Sequence, residues 1–452
     1  MRRLLTAVMA LLVVVMPATL ASATPPTAPT TTPIKHLVVL MQGNHSFDNY
    51  FGTYARADGI PKGVCQKVNL QVKTTKGCVT PFHISPTSAP VDLNHGPAVQ
   101  KYQYNDGKMD GFVAAYRRLG QDGTGAMGHY DGRELPYYWN LAQSFVLFDR
   151  FFASTRAGNR ESYLYWVAGT APSSPAGILR DSAGYDALPT IFDRLAARGI
   201  AARFYVENYN PRLADPASGS RSRTSQLVKV PLLSMSRFRT DPALSGTVVD
   251  LSQYYRDLRD RTLPAVSYVV MTGSSENPPS RVDIGQEAVR KMTSALMRSP
   301  YWATSAFMLT YDGWGGWYDH VAPPRVDARG YGFRVPALLA SPYAKRGFID
   351  HTVLDYTAIP RFIEQNWSLA PLAQRDAASA GLASAFDFAS PPAQARIVGA
   401  TRVAPPADTG GLHASTAIYT CYGLALVLAV GLMVWTGVRR ARHRRGRATR
   451  VA

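Results

Sequence analysis

Cysteine is nearly absent, with three residues in 452, and Cys421 lies inside an apolar run near the C-terminus. The remaining two, Cys65 and Cys78, lack the further ligands that a structural zinc site takes, even though His83 is near in sequence. Charge is also sparse, at 18% against 46% hydrophobic residues, which excludes disorder for most of the chain. This length accommodates one large α/β domain with appendages, or two ordinary domains. No internal repeat is visible. The formal net charge of +18 comes without a basic recognition motif, so nucleic acid is not an expected partner.

Acidic residues are missing altogether after position 438, where seven arginines lie between Arg439 and Arg450. They follow Ala417 to Val438, an uncharged apolar stretch long enough, at about 1.5 Å per residue, to cross a hydrocarbon core of roughly 30 Å. A single transmembrane helix over 417–438 with a cytoplasmic Arg-rich tail, 439–452, is the expectation. At the other end Arg2 and Arg3, the apolar Leu4 to Met16 and the small Ala21-Ser22-Ala23 predict a signal peptide over 1–23. A Thr/Pro/Ala spacer follows over 24–33, then an ectodomain over 34–389 and a Pro/Ala/Gly linker over 390–416. The localisation this implies is the cell membrane, with the ectodomain extracellular. Half of the net charge belongs to the tail and leader, so the ectodomain is only mildly basic and suits an anionic envelope surface. Export also predicts a Cys65 to Cys78 disulfide.

Within the ectodomain, Ile34 to Met41, Ala201 to Val206, Ala265 to Met271, Ala306 to Tyr311 and Val335 to Ser341 are apolar and rich in β-branched or aromatic residues. They read as buried strands. Helical patterns occupy Pro136 to Ala142, Thr190 to Ala197, Gly285 to Met297 and Tyr356 to Asn366. The alternation predicts an α/β, doubly wound, mostly parallel sheet with helices on both faces.

The first strand ends in Met41-Gln42-Gly43-Asn44-His45-Ser46-Phe47-Asp48-Asn49-Tyr50-Phe51-Gly52, which puts ligand-capable side chains at a strand's carboxyl end. In order there follow Asp92-Leu93-Asn94-His95-Gly96, Lys108-Met109-Asp110-Gly111-Phe112, Asp149 to Ser154, Tyr311 to Val321, and Arg334-Val335-Pro336-Ala337 with Ser341-Pro342-Tyr343-Ala344. From about Ile34 to about Leu369 the chain resembles the bacterial phosphoesterase family of non-haemolytic phospholipases C and acid phosphatases. Its first motif reads Glu-Asn-(Arg/His)-Ser-Phe-Asp-x-Tyr-Phe-Gly. The resemblance implies an alkaline-phosphatase-like sandwich, hydrolysis of phosphate esters and a divalent metal.

The departures fall on the chemistry. Gly43 stands where the family has a metal-binding Glu, and Gly313, beside Asp312, where it has a second carboxylate. The ligand set is reduced to Asn44 and Asp312, too few oxygens for tight binding of a hard cation. Ungapped spacing puts Asn159 at the nucleophile position, Ser162 at the family's Asn and Tyr163 at its basic residue. Asn277, in Glu276-Asn277-Pro278-Pro279, replaces a His and does not titrate near neutral pH. His95 remains as an acid or phosphate contact. Ser154, Thr155 and Ser162 are substitute nucleophiles only if the loop is re-routed.

His45, Asp319 and His320 read as residues that stabilise loops and turns, Asp48 and Asp110 as supporting or capping residues, and Tyr137, Tyr138 and Trp139 as packing. The expectation is therefore a membrane-anchored family member with activity lost or strongly reduced. Its rivals are a surface binding or scaffold protein for an anionic ligand or a protein partner, and an enzyme that gathers a metal through His45, Asp48, Asp312 and Asp319.

Overall fold

The computed structural model describes residues 28–71, 77–85, 92–156, 158–172, 186–214, 225–401 and 435. The signal peptide, the transmembrane run and the arginine tail expected from the sequence lie outside them, apart from Trp435. No helix among the described residues is long and apolar enough to cross a membrane.

Eight strands form the main sheet: β1 (His36–Gln42), β2 (Val146–Phe148), β3 (Ala202–Val206), β4 (Val248–Asp250), β5 (Val266–Val270), β6 (Ser305–Tyr311), β7 (Ala337–Ala340) and β8 (Phe348–Asp350). Their order is β8-β2-β7-β6-β1-β5-β3-β4. Every pairing is parallel except the two made by β7, which runs antiparallel to both β6 and β2. All seven residues of β1 and all seven of β6 are buried, which is why these strands read as continuous apolar runs rather than alternating ones.

The five strands expected from apolar runs are present, each within two residues of its expected start. The strands β2, β4 and β8 have three residues each, too short for a period to show. The helices that matter for the site are α1 (Phe47–Phe51), α2 (Pro97–Tyr104), α3 (Pro136–Ser144), α4 (Asn159–Ala168) and α5 (Val282–Arg298). The disulfide between Cys65 and Cys78 is formed, and mutual backbone bonds between Gln66 and Val79 (2.8 Å each) zip the chain beside it.

Of the linker expected over 390–416, residues 402–416 lie outside the described residues; 390–400 have no helix or strand, but they are docked. Val398 is buried, Asn140 donates to the Gly399 carbonyl (2.7 Å) and Ala393 N–H to Pro342 (2.8 Å).

One charge system ties the site-bearing loops to the sheet. Arg334 is fully buried and donates to Asp319 (2.8 Å), to Asp48 (3.0 Å) and to the Asp58 and Asp149 carbonyls (2.8 Å each). His320 joins the same Asp48 carboxylate at 2.7 Å and reaches Asp58 at 3.2 Å. Asp319 and His320 thus hold a turn, as the sequence suggested, and Asp48 anchors it. Arg334→Met would strand two buried carboxylates, and loss of one partner of such a group costs about 3–5 kcal/mol. Urea denaturation of the variant is expected to show a loss of that order, and a loss below about 1 kcal/mol would mean that the cluster carries little of the fold's stability.

Candidate active site

Strands β1 and β6 are neighbours in register, Gln42 opposite Tyr311, so both chains leave the sheet at the same level. Asp312 N–H bonds back to the Gln42 carbonyl (3.0 Å), and Asn44 N–H donates to Asp312 Oδ1 (2.9 Å). Asn44 adopts φ 58°, a left-handed conformation that asparagine tolerates better than most residues. Gly315, at φ 64°, passes so close to it that a Cβ there would lie 2.2 Å from the Asn44 carbonyl oxygen. On the other side of β1, the loop after β5 is clamped. Glu207 accepts from the backbone N–H groups of Thr272, Gly273 and Ser274 at 3.0, 2.7 and 2.6 Å, and Gln42 bonds to Ser274 and Glu276. The N-terminus of α4 brings in Asn159.

Asn44, His95, Asn159, Asn277 and Asp312 are all brought together. The Asn44 amide donates one hydrogen to Asn277 Oδ1 and the other to His95 Nε2 (3.4 Å), while its oxygen accepts from Asn159 Nδ2 (3.2 Å). Asn159 Nδ2 donates its second hydrogen to Asp312 Oδ2 (3.4 Å), which also accepts from Tyr163 (2.9 Å). His95 Nδ1–H donates to the Leu93 carbonyl (2.7 Å), leaving Nε2 as the acceptor that Asn44 uses. In this orientation both hydrogens of the Asn44 and Asn159 amides find acceptors.

This arrangement does not fit a divalent cation. The two oxygens left from the family's ligand set, Asn44 Oδ1 and Asp312 Oδ2, both accept from Asn159 Nδ2. Gly43 and Gly313 supply no carboxylate, and their surroundings leave little room for one. A Cβ on Gly43 would lie 2.9 Å from Asn277 Cβ and 3.0 Å from Ser275 Oγ, and one on Gly313 3.1 Å from Asn159 Oδ1. Two of the substitute nucleophiles named from the sequence are engaged in backbone contacts. Ser162 donates to Gly158 (3.3 Å), and Ser154 accepts from Tyr356 N–H (3.2 Å).

The positive charge beside the cluster comes from Lys229, which no sequence motif signalled. It is buried and donates to the Met271 carbonyl (2.7 Å) and Ser275 Oγ (3.0 Å). Burial lowers its pKa, opposed by Asp312 and Glu207. Burial raises the Asp312 pKa, opposed by Lys229, the Asn44 N–H and the Tyr163 hydroxyl.

Among the described residues, two other groups of side chains are compact enough to hold an ion: Asp48, Asp319 and His320, and His83, Asp131 and Glu134. The first already surrounds the Arg334 guanidinium. In the second, Arg133 forks onto Asp131 (2.8–3.1 Å) and His83 bonds Glu134 (2.7 Å). The rival metal set of His45, Asp48, Asp312 and Asp319 is not assembled as one site. Asp312 belongs to the amide cluster. His45 is buried, stacked on Tyr50 (4.3 Å) and bonded to Asn49 (2.7 Å) and the Glu276 carbonyl (2.9 Å), and burial lowers its pKa to about 4.

Glu276 was quoted in the sequence only as the neighbour of Asn277, yet it is fully buried under three tyrosines. Tyr50 (2.7 Å), Tyr311 (2.6 Å) and Tyr138 donate to it. Burial nevertheless raises its pKa to about 7. Tyr137 and Tyr138 are buried packing residues, as expected, with Tyr138 serving this carboxyl as well. Asp110 accepts from Asn105 (2.7 Å) and braces its own turn.

The family model of the Phosphoesterase family matches residues 34–370, and the chain belongs to that family. It is 27% identical to the non-hemolytic phospholipase C of Pseudomonas aeruginosa over 79% of this chain but only 58% of that protein's length. Phospholipase C B of Mycobacterium tuberculosis is 26% identical over 80% of this chain and 79% of the relative. A Vibrio parahaemolyticus protein of the alkaline phosphatase superfamily aligns over 76% of this chain and 70% of its own, at 14% identity and a TM-score of 0.35.

Two outcomes follow from the packing. Restoring an acid with Gly43→Glu forces the loop at 275–277 to move. It is expected to cost about 1–3 kcal/mol in thermal or urea denaturation, with no gain in Mg2+ or Zn2+ affinity by calorimetry. Tight metal binding by this variant would show the site to be latent. Glu276 keeps its proton in the folded state up to about pH 7, against 4.5 when exposed. Its contribution to stability is therefore full below the lower value and declines as pH rises through the upper one. Comparing wild type with Glu276→Gln at about pH 5 and about pH 8 should show the wild type losing more stability on the alkaline side, and parallel curves would refute the assignment.

Proposed function

We propose that this chain is an exported, membrane-anchored member of the Phosphoesterase family whose hydrolysis of phosphate esters is lost or strongly reduced, and whose cleft holds an anionic ligand. The observation that carries this reading is the Asn159 amide bridging Asn44 Oδ1 and Asp312 Oδ2. Phosphoryl transfer needs the charge on the phosphoryl oxygens neutralised, a nucleophile in line, and a proton for the leaving group. An asparagine at the nucleophile position offers no attacking oxygen. His95 turns Nδ1 to the Leu93 carbonyl and Nε2 to the Asn44 amide.

What remains suits an anion without a metal. The positive end of α4 and the buried ammonium of Lys229 lie at the strand ends. The nominal activity of the family, suggested by relatives named phospholipase C, is hydrolysis of phosphate esters with phospholipid head groups and phosphomonoesters as substrate classes. Residual turnover would rest on Asn44, Asp312 and His95. Export and anchoring are supported by the leader-like Met1 to Ala23, by the apolar 417–438 with its arginines, and by the disulfide, which suits an oxidising compartment.

The test is hydrolysis of a panel of phosphate mono- and diesters by the purified protein, with divalent metals added one at a time and Asp312→Ala as control. The expected result is no turnover above the control. Metal-dependent turnover that disappears in Asp312→Ala would defeat the reading.

A further inference from the structure

We propose that a groove flanking the amide cluster, walled by α2, binds an organic phosphate through four cations, whether or not the cluster itself reacts. The groove has a volume of about 780 Å³, within the range of small-ligand sites. Lys101, Arg118, Arg156 and Arg325 line it, against the single carboxylate of Asp106. Among the described residues none of the four cations takes part in an ion pair, whereas Arg117, next to Arg118 in the chain, is paired with Asp122 at 2.6 Å. Like charges gathered in a concavity repel one another and focus a positive potential, which an anion entering the groove relieves.

Two of the arginines are oriented. The Arg118 guanidinium lies over the Tyr102 ring at 4.6 Å and that of Arg156 over Tyr104 at 4.3 Å. Stacking fixes the plane of a guanidinium and leaves its N–H edge for an oxyanion, the geometry that forks onto phosphate. Pro97, Ala98 and Leu119 add apolar surface for the carbon part of the ligand. The groove shares its chain segments with the cluster: α2 begins two residues after His95, and Arg156 precedes Asn159 by three. None of the five residues of the amide cluster lines it.

The chemistry recognised is an organic phosphate, whose source is either a free metabolite or a lipid head group, and two arms separate these. One titrates sn-glycerol 3-phosphate into the protein by calorimetry. The other sediments the protein with phosphatidylglycerol vesicles, with phosphatidylcholine vesicles as control. Saturable binding in either arm, falling as salt is raised, is expected. It should weaken about tenfold or more in an Arg118→Gln, Arg156→Gln double variant shown to be folded by circular dichroism. Arg325→Gln, at an exposed side chain, gives an independent test should the double variant not fold, and it too should weaken binding. Arg117→Gln, at a cation paired with Asp122 and outside the groove's lining, should leave this binding within about twofold of wild type. Absence of binding in both arms, or binding untouched by the arginine variants, overturns the proposal. Loss of binding in Lys229→Met, with the arginine variants still binding, would locate the ligand at the amide cluster and overturn the groove while sparing the proposed function.

Discussion

The parallel pairing of β1 with β6 is the constraint on which the site depends. Because Gln42 and Tyr311 stand opposite each other, the residues that follow emerge side by side. The bond from Asn44 N–H to Asp312 then becomes a continuation of the sheet's own ladder into side chains. The cluster is a consequence of strand register rather than of flexible loops finding one another. The β5 loop, tied to β1 through Gln42 and stiffened by Glu207, supplies the third wall on the same principle.

Charge is distributed unequally around this frame. Below the loops, Arg334 and its carboxylates form a buried ionic system that holds turns in place and offers nothing to solvent. In the cluster at the strand ends Asp312 is the one carboxylate, with the Lys229 ammonium beside it; His95 brings an imidazole, and Asn44, Asn159 and Asn277 are amides. An amide cluster can be fully satisfied without an ion, because each asparagine brings both an acceptor and two donors. A cluster of carboxylates cannot, since each is acceptor-only when charged. Replacing carboxylates by glycine and the other partners by asparagine thus converts a centre that requires a cation into one that closes on itself.

Much of this was legible in the sequence, and the limits have physical causes. Long buried strands such as β1 and β6 declare themselves as unbroken apolar runs, and the motif spacing picked out Asn44, Asn159, Asn277 and Asp312 before any geometry was known. Three-residue strands such as β4 carry no period. Lys229 sits in no motif, and its role arises only because the chain folds a lysine under the β5 loop, far from Asn44 in sequence. The tyrosines around Glu276 come from residues 50, 138 and 311, a convergence that no local pattern encodes. The docked stretch at 390–400 reads as a linker because proline, alanine and glycine carry no signal for the isolated contacts, at Ala393, Val398 and Gly399, that hold it.

The absence of a side chain at Gly43 also limits what a single substitution can do. Asn277 Cβ and Ser275 Oγ border the space in which its Cβ would stand, so an acid placed there meets occupied volume. A carboxylate at this strand end needs room made at 275 or 277 together with it, and changes at such touching positions act jointly rather than as a sum.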